Sequence, residues 1–417
     1  MICLFVSFES TAKEINFNNL VIREGIWFEK FSDNPYSGDV VGKEKGKMIK
    51  GQKTGEWVSF FGMGNYFRVK ENYKKGKLHG KQLKFIESSG KLHSKQIYKN
   101  GKIIESYKYH DTGEIKELKK YVKGNAEHYK YTYYFKNGQI GEKGSFSGLY
   151  SSSHGDKLNG DGKFLVYHEN GTLHYKQNWK KGLIVDDEVN YFCDDGTRHK
   201  KESYVDGKIN GEVIDYWCPS AFFSAIKIKD RIHSKGKYSN GQKVGLHLRF
   251  SRDGQIIKEG NYKNGIKVGV HSSYFDNGEV KEIINYNNDG VKNGENVYYK
   301  VNKKNKRILI YKQNFIPCPH NKAIACQHGK QVEYNWETGQ IKSEKYYKFN
   351  KYDGEHKYYE DGKLSYTNYR NEDGYKFEYY YKDGKIRSKG EFKNGEKIGN
   401  WVEYNELGEI IKNEQYD

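Results

Sequence analysis

"YYYKDGKIRSKGEFKNGEKIG" spans Tyr379–Gly399 and holds two tight-turn signals, Asp383-Gly384 and Asn394-Gly395. Such a pair between alternating segments predicts a β-hairpin, because a type I′ turn needs positive φ at both central residues. Pairing outward from Asp383-Gly384 sets Tyr381 opposite Ile386, Tyr379 opposite Ser388, Phe377 opposite Gly390 and Tyr375 opposite Phe392. Side chains alternate along a strand, so these pairs share one face, with rings set against small residues. The other face carries mainly charged side chains, among them Lys376, Glu378, Lys385, Arg387 and Glu391. The second turn reverses the chain again, so each hairpin's second strand pairs with the first strand of the next unit.

Near-copies of this unit fill the chain, and internal repetition is its main signal. First-turn glycines stand at Gly90, Gly113, Gly138, Gly171, Gly196, Gly254, Gly278, Gly339, Gly362, Gly384 and Gly408. Two residues later comes an aliphatic side chain in ten of eleven units, Arg198 being the exception. Eight residues later comes an aromatic in ten of eleven, from Tyr98 to Tyr416, with Arg370 the exception. The unit around Gly138 predicts the same register, with Phe135 facing Ile140, Tyr131 facing Gly144 and Tyr129 facing Phe146. Second-turn signals recur at Asn100-Gly101, Lys123-Gly124, Lys181-Gly182, Asp206-Gly207 and Asn264-Gly265. Apolar spacing is two, never three or four. The expected fold is all-β: an elongated array of antiparallel hairpins. The rhythm breaks near 208–240 and 300–330. A degraded unit is expected in each break, at "GEVIDYW" (Gly211–Trp217) and "GENVYYK" (Gly294–Lys300), with "PCPHNKAIACQH" (Pro317–His328) as a surface excursion.

Composition agrees. Aromatics make up 16% of the 417 residues, with 38 tyrosines, whereas disordered chains are poor in aromatics. Only 4 prolines occur, which suits uninterrupted ladders. The net charge is +18, from 72 Lys+Arg against 54 Asp+Glu. Lysine spread over a solvent face discourages sheet edges from pairing, and an acidic partner is the competing explanation. The N-terminal run Ile2–Phe8 followed by Ser10-Thr11-Ala12 suits signal-peptidase cleavage after Ala12, although a charged n-region is missing; a first strand is the alternative. The reading leans to export, into a periplasmic or cell-envelope location over a cytoplasmic one. Residues 1–19 are then a leader or its remnant, 20–50 a lead-in segment and 51–417 the repeat array.

The segments "GEWVSFF" (Gly55–Phe61) and "GNWVEY" (Gly399–Tyr404), with the recurring YY-x-x-G-x-I-x-x-x-G-x-F/Y-x-x-G pattern, resemble the variant MORN repeat of YwqK-type antitoxin proteins of bacteria. The likeness covers nearly all of the chain after about residue 20. "LVIREGIWFEKFSDNPYSGDVVG" (Leu20–Gly42) is similar to the segment that precedes such arrays. The resemblance implies an antiparallel β array that binds other molecules and performs no catalysis, with an antitoxin or immunity role in some members.

Chemistry-bearing clusters are few. Cys318, His320, Cys326 and His328 are the densest set of potential ligands; a solvated loop, a Cys318–Cys326 disulfide and a zinc site remain open alternatives there. Cys193-Asp194-Asp195-Gly196 sets a thiol beside acids, which reads as turn chemistry, since a nucleophilic thiolate favours a positive neighbourhood. Asp186-Asp187-Glu188 reads as a solvated acidic run, and Gly62-Met63-Gly64 is too short for a phosphate loop. Rings interleaved with lysine also occur on platforms for single-stranded nucleic acid, but every repeat needs its rings for packing. No catalytic, cofactor-binding or metal-binding residue is assigned. The expected partner is a protein, bound on the aromatic face. Anionic lipid headgroups or nucleic acid form the alternative, an exported cell-envelope structural role a further one, and a small-molecule substrate is not expected.

Overall fold

A computed structural model describes residues 13–60, 67–122, 128–147, 160–219, 230–370 and 374–417. Cleavage after Ala12, Gly62-Met63-Gly64 and the Lys123-Gly124 turn lie outside the described residues. Among the described residues there is no α-helix, and a 3-10 turn occurs at Phe17–Asn19. The chain forms two compact units. One comprises residues up to Arg198 with Tyr204–Gly207; the other comprises His199–Ser203 and Lys208–Asp417.

In the first unit, Glu14–Asn16 runs parallel to Gly38–Val41. Ile15, Leu20, Tyr36, Val40, Met48 and Trp57 bury themselves together at this end, where the lead-in segment closes over the first hairpins. Terminal repeats need such a cover because they lack one neighbour. From there the strands form an antiparallel meander, with a second buried cluster of Tyr129, Tyr131, Phe146 and Phe164.

The second unit is also an antiparallel meander, each strand bonded to its neighbours in sequence from Lys208–Tyr216 to Ile410–Tyr416. The predicted register holds for Tyr379 against Ser388, Phe377 against Gly390 and Tyr375 against Phe392. It fails at the turn, where a bulge puts Tyr380, not Tyr381, opposite Ile386. The unit around Gly138 behaves identically: Tyr134, not Phe135, faces Ile140.

The cause is the turn type. Asp383 keeps negative φ and only Gly384 is left-handed. Gly384 N–H donates to Tyr381 O, and Asp383 Oδ1 accepts from Lys385 N–H. The first turn is therefore a wider loop with a bulge, and not type I′. The second turn is type I′, with Asn394 at φ 52° and Gly395 at 88°. Both interrupted stretches are full hairpins: Lys208–Tyr216 pairs with Ile232–Ser239, and Gly294–Val301 pairs with Arg307–Pro317.

Candidate binding face

Cross-strand register sorts the ring-bearing face of the second unit into rows that run across the strands. The middle row of its first part is Val213, Gly236, His247, Gly260, His271 and Ile284. Each histidine ring lies over a glycine of the preceding strand, so closely that a Cβ at Gly236 or Gly260 would fall inside the ring. The preceding strand is bulged at that point, which frees a carbonyl. His247 Nε2–H donates to Lys237 O and His271 Nε2–H to Asn261 O, each at 2.9 Å. Trp57 over Gly46 repeats the device in the first unit, with its Nε1–H on Lys47 O at 3.2 Å. Trp401 lies over Gly390, and Phe164 over Gly144.

Next to this row, Tyr238, His247, Tyr262, His271 and Tyr286 meet edge to face in one unbroken file, with centroids 4.9–5.3 Å apart. Edge-to-face contact sets the positive rim of one ring on the negative face of the next. Lys243 and Lys267 lie over Tyr262 and Tyr286; Lys53 and Lys397 take the same position over Tyr73 and Tyr416 and also lie over Trp57 and Trp401. These lysines sit at G−2 of a Lys-x-Gly-x-ring motif, so part of the formal charge is spent on ring faces. Where the aromatic position is taken by Arg370, its guanidinium lies 5.2 Å from both Tyr352 and Tyr375 and does the same stacking.

Further along the middle row the rings give way to amides: Asn296 faces Gln313, and Gln313 faces Gln331. His356 faces Asn368, which faces Phe377. His356 is only 1% exposed. Its burial first, then Arg370, lowers its pKa to about 4. Burial likewise lowers His233, His247 and His271, so this face presents neutral imidazoles. Phenols are held neutral too: Tyr311 is pushed up to about 12, first by burial.

The first part of this face forms a groove of about 460 Å³ across six strands, Lys208–Tyr216, Ile232–Ser239, Gln242–Phe250, Ile256–Lys263, Ile266–Tyr274 and Val280–Tyr286. Gly236, His247, Gly260 and His271 floor it; the tyrosine file lies on one side and a row of charged residues on the other.

The clusters singled out in the sequence fall elsewhere. Cys318 and Cys326 form a disulfide that closes the tip between Arg307–Pro317 and Ala325–Tyr334. His320 is exposed in that tip, while His328 packs on Phe349. Cys193 opens a turn, accepting from Gly196 N–H. Asp186 accepts from the backbone and side chain of Asn178, so it serves the sheet. Among the described residues no three His, Cys, Asp or Glu side chains gather as a metal ion would require. The groove was not read from the sequence. A local signal was Gly-x-His at Gly245–His247 and again at Gly269–His271, where some other units place Trp or Phe, although the same motif recurs at Gly354–His356 outside the groove.

No curated protein matches the chain in sequence. Among solved structures, a chain of "Crystal Structure of TcdB2-TccC3-TEV" is 11% identical, with 92% of this chain and 25% of that one covered and a TM-score of 0.14. A porin-like protein from Bacteroides uniformis is 8% identical, covering 61% of this chain and 92% of that one, with a TM-score of 0.13. The present chain thus spans about a quarter of the TcdB2–TccC3 chain, and scores this low bear on neither fold nor function. The family model of the MORN repeat variant matches residues 160–181, 243–264, 267–288 and 376–394. Two of these segments supply four of the groove's six strands, and the last overlaps the Tyr379–Gly399 stretch, so segments similar to the MORN repeat variant contribute to the groove.

Proposed function

We propose that this chain is a non-catalytic scaffold that binds a protein through the ring-bearing face of its repeats, in an antitoxin or immunity-type role. The observation that supports this reading is the file of tyrosine and histidine rings beside the groove, which repeats a packing device and includes no nucleophile–base pair. Interfaces are rich in tyrosine because it offers large, rigid contact area with a polar tip. Protein is favoured over an anionic surface because lysines of the repeat motif lie on their own rings, and others pair with Glu or Asp across strands. The Cys318–Cys326 disulfide favours an oxidising compartment, in line with export.

The test is affinity capture with the purified full chain from extracts of its native organism, at low and at moderate salt. Specific protein capture that survives the salt step supports the reading. Retention of lipid or nucleic acid alone, lost steeply with salt as counterion release demands, would replace it. A captured toxin whose activity the chain blocks supports the immunity role; a captured protein that the chain leaves active removes that role and keeps the scaffold.

A further inference from the structure

The charged row beside the groove has an order that packing does not require. Asp215 faces Ser234, Ser234 faces Arg249, Arg249 faces Lys258, Lys258 faces Ser273 and Ser273 faces Glu282. Read across six neighbouring strands, the row is acid, serine, cation, cation, serine, acid. Like charges directly opposite on neighbouring strands destabilise a sheet. Arg249 and Lys258 are such a pair, both exposed, and among the described residues neither has a carboxylate within 4.0 Å.

The nearest acids in the row are turned to other work. Ser234 Oγ–H donates to Asp215 at 2.6 Å, and Ser273 Oγ–H to Glu282 at 3.4 Å. Arg249 is itself oriented: its Nε–H donates to His233 Nε2 at 3.2 Å, which makes that histidine an acceptor and therefore neutral. The floor beneath disfavours charge, because burial lowers the pKa of His247 and His271, although their Nε2–H bonds to carbonyls act in the opposite direction. A compact anion between Arg249 and Lys258 would relieve their repulsion and take charge-assisted hydrogen bonds from both.

The flanks decide what carries that anion. Strands lie about 4.8 Å apart, so the two cations are adjacent, and each acid stands about 10 Å from the nearer cation. A polyanion, whether a nucleic-acid strand or an anionic lipid surface, would set negative charge against Asp215 and Glu282. An extended peptide advances about 3.3 Å per residue and alternates its side chains, so the fourth residue, about 13 Å on, returns to the same face near each acid, which stands about 12 Å from the midpoint between the cations. Resting on the protein-binding reading above, we propose that the groove takes an extended segment of a partner protein with one carboxylate seated between Arg249 and Lys258, and a basic residue four positions away on each side facing Asp215 and Glu282.

The test uses the full chain and a display library of random nine-residue peptides, followed by affinities of the enriched peptides measured by fluorescence anisotropy. Enrichment of an acid flanked four residues away on each side by Lys or Arg is expected. Binding should fall about tenfold or more in Arg249→Gln/Lys258→Gln and stay unchanged in Lys322→Gln, a cation of the disulfide-closed tip. Asp215→Asn/Glu282→Gln should relax the need for flanking bases and admit runs of acid. Circular dichroism confirms that each variant folds. Enriched peptides that bind the Arg249→Gln/Lys258→Gln variant equally well would overturn the groove assignment and leave the scaffold reading intact. Tighter binding of oligoglutamate, or of vesicles containing phosphatidylserine, than of the mixed-charge peptides would also overturn it. A library that yields no peptide binding at all would count against both readings.

Discussion

At the scale of single residues, close approach and burial govern what this face tolerates. Gly260 gives up its side chain to the His271 ring, so Gly260→Ala should cost about 1–3 kcal/mol in urea unfolding, as overpacking does. His271→Ala should recover part of that loss when combined with it, because the new methyl then has room; additive losses would show that the ring is not the obstacle. His356 makes a pH-dependent contribution. Arg370 and Lys345 disfavour its charge, Asp353 opposes them weakly and the Tyr346 carbonyl accepts its hydrogen bond, but burial dominates. Its pKa falls from 6.5 to about 4 on folding, so between those values the unfolded chain binds the extra proton. Stability is then complete above pH 6.5 and lost as pH falls toward 4, by at most about 3 kcal/mol. His233, His247 and His271 act in the same direction. Urea midpoints at pH 7 and pH 4.5 should differ less in His356→Gln than in the parent chain.

At the scale of elements, the two turns of each unit differ in kind although their sequences look alike. Asn394 must hold a left-handed conformation, and Asn394→Ala should destabilise the second unit by about 1 kcal/mol. Asp383 sits at negative φ, so Asp383→Ala loses its bond to Lys385 N–H and an exposed ion pair with the Lys385 ammonium, and should cost less. Equal losses in the two variants would contradict the turn assignment. Asp-Gly and Asn-Gly satisfy either turn, so the dipeptide alone could not separate them. The neighbours do: the bulge lets Tyr381 O accept from Gly384 N–H and moves Tyr380 opposite Ile386. Beyond that bulge the alternation is restored, which is why the pairs from Tyr379 to Tyr375 were readable.

At the scale of the whole molecule, long-range contacts set properties that no single unit carries. The Cys318–Cys326 link closes a short loop, and Cys318→Ser/Cys326→Ser should lower the stability of the second unit by about 2 kcal/mol in urea. Treatment of the parent chain with dithiothreitol should lower stability at least as far, because Cys193 and Cys218 are disulfide-bonded as well; no loss in the Cys318→Ser/Cys326→Ser variant would mean that the tip is held by other contacts. The amino-acid order by itself determined the strands, the turn positions, the ring-bearing face and the antiparallel pairing, because all of these follow from a period of two and a turn every dozen residues or so. Only the tertiary structure decided which residues of different units share a row. Arg249 and Lys258 belong to neighbouring strands, and Asp215 and Glu282 lie further off along the chain; hydrogen-bonded register, shifted by a bulge at nearly every hairpin, brings the four into line. Rows run across strands while sequence runs along them, so each bulge changes which side chains meet without changing the pattern that predicts the strands.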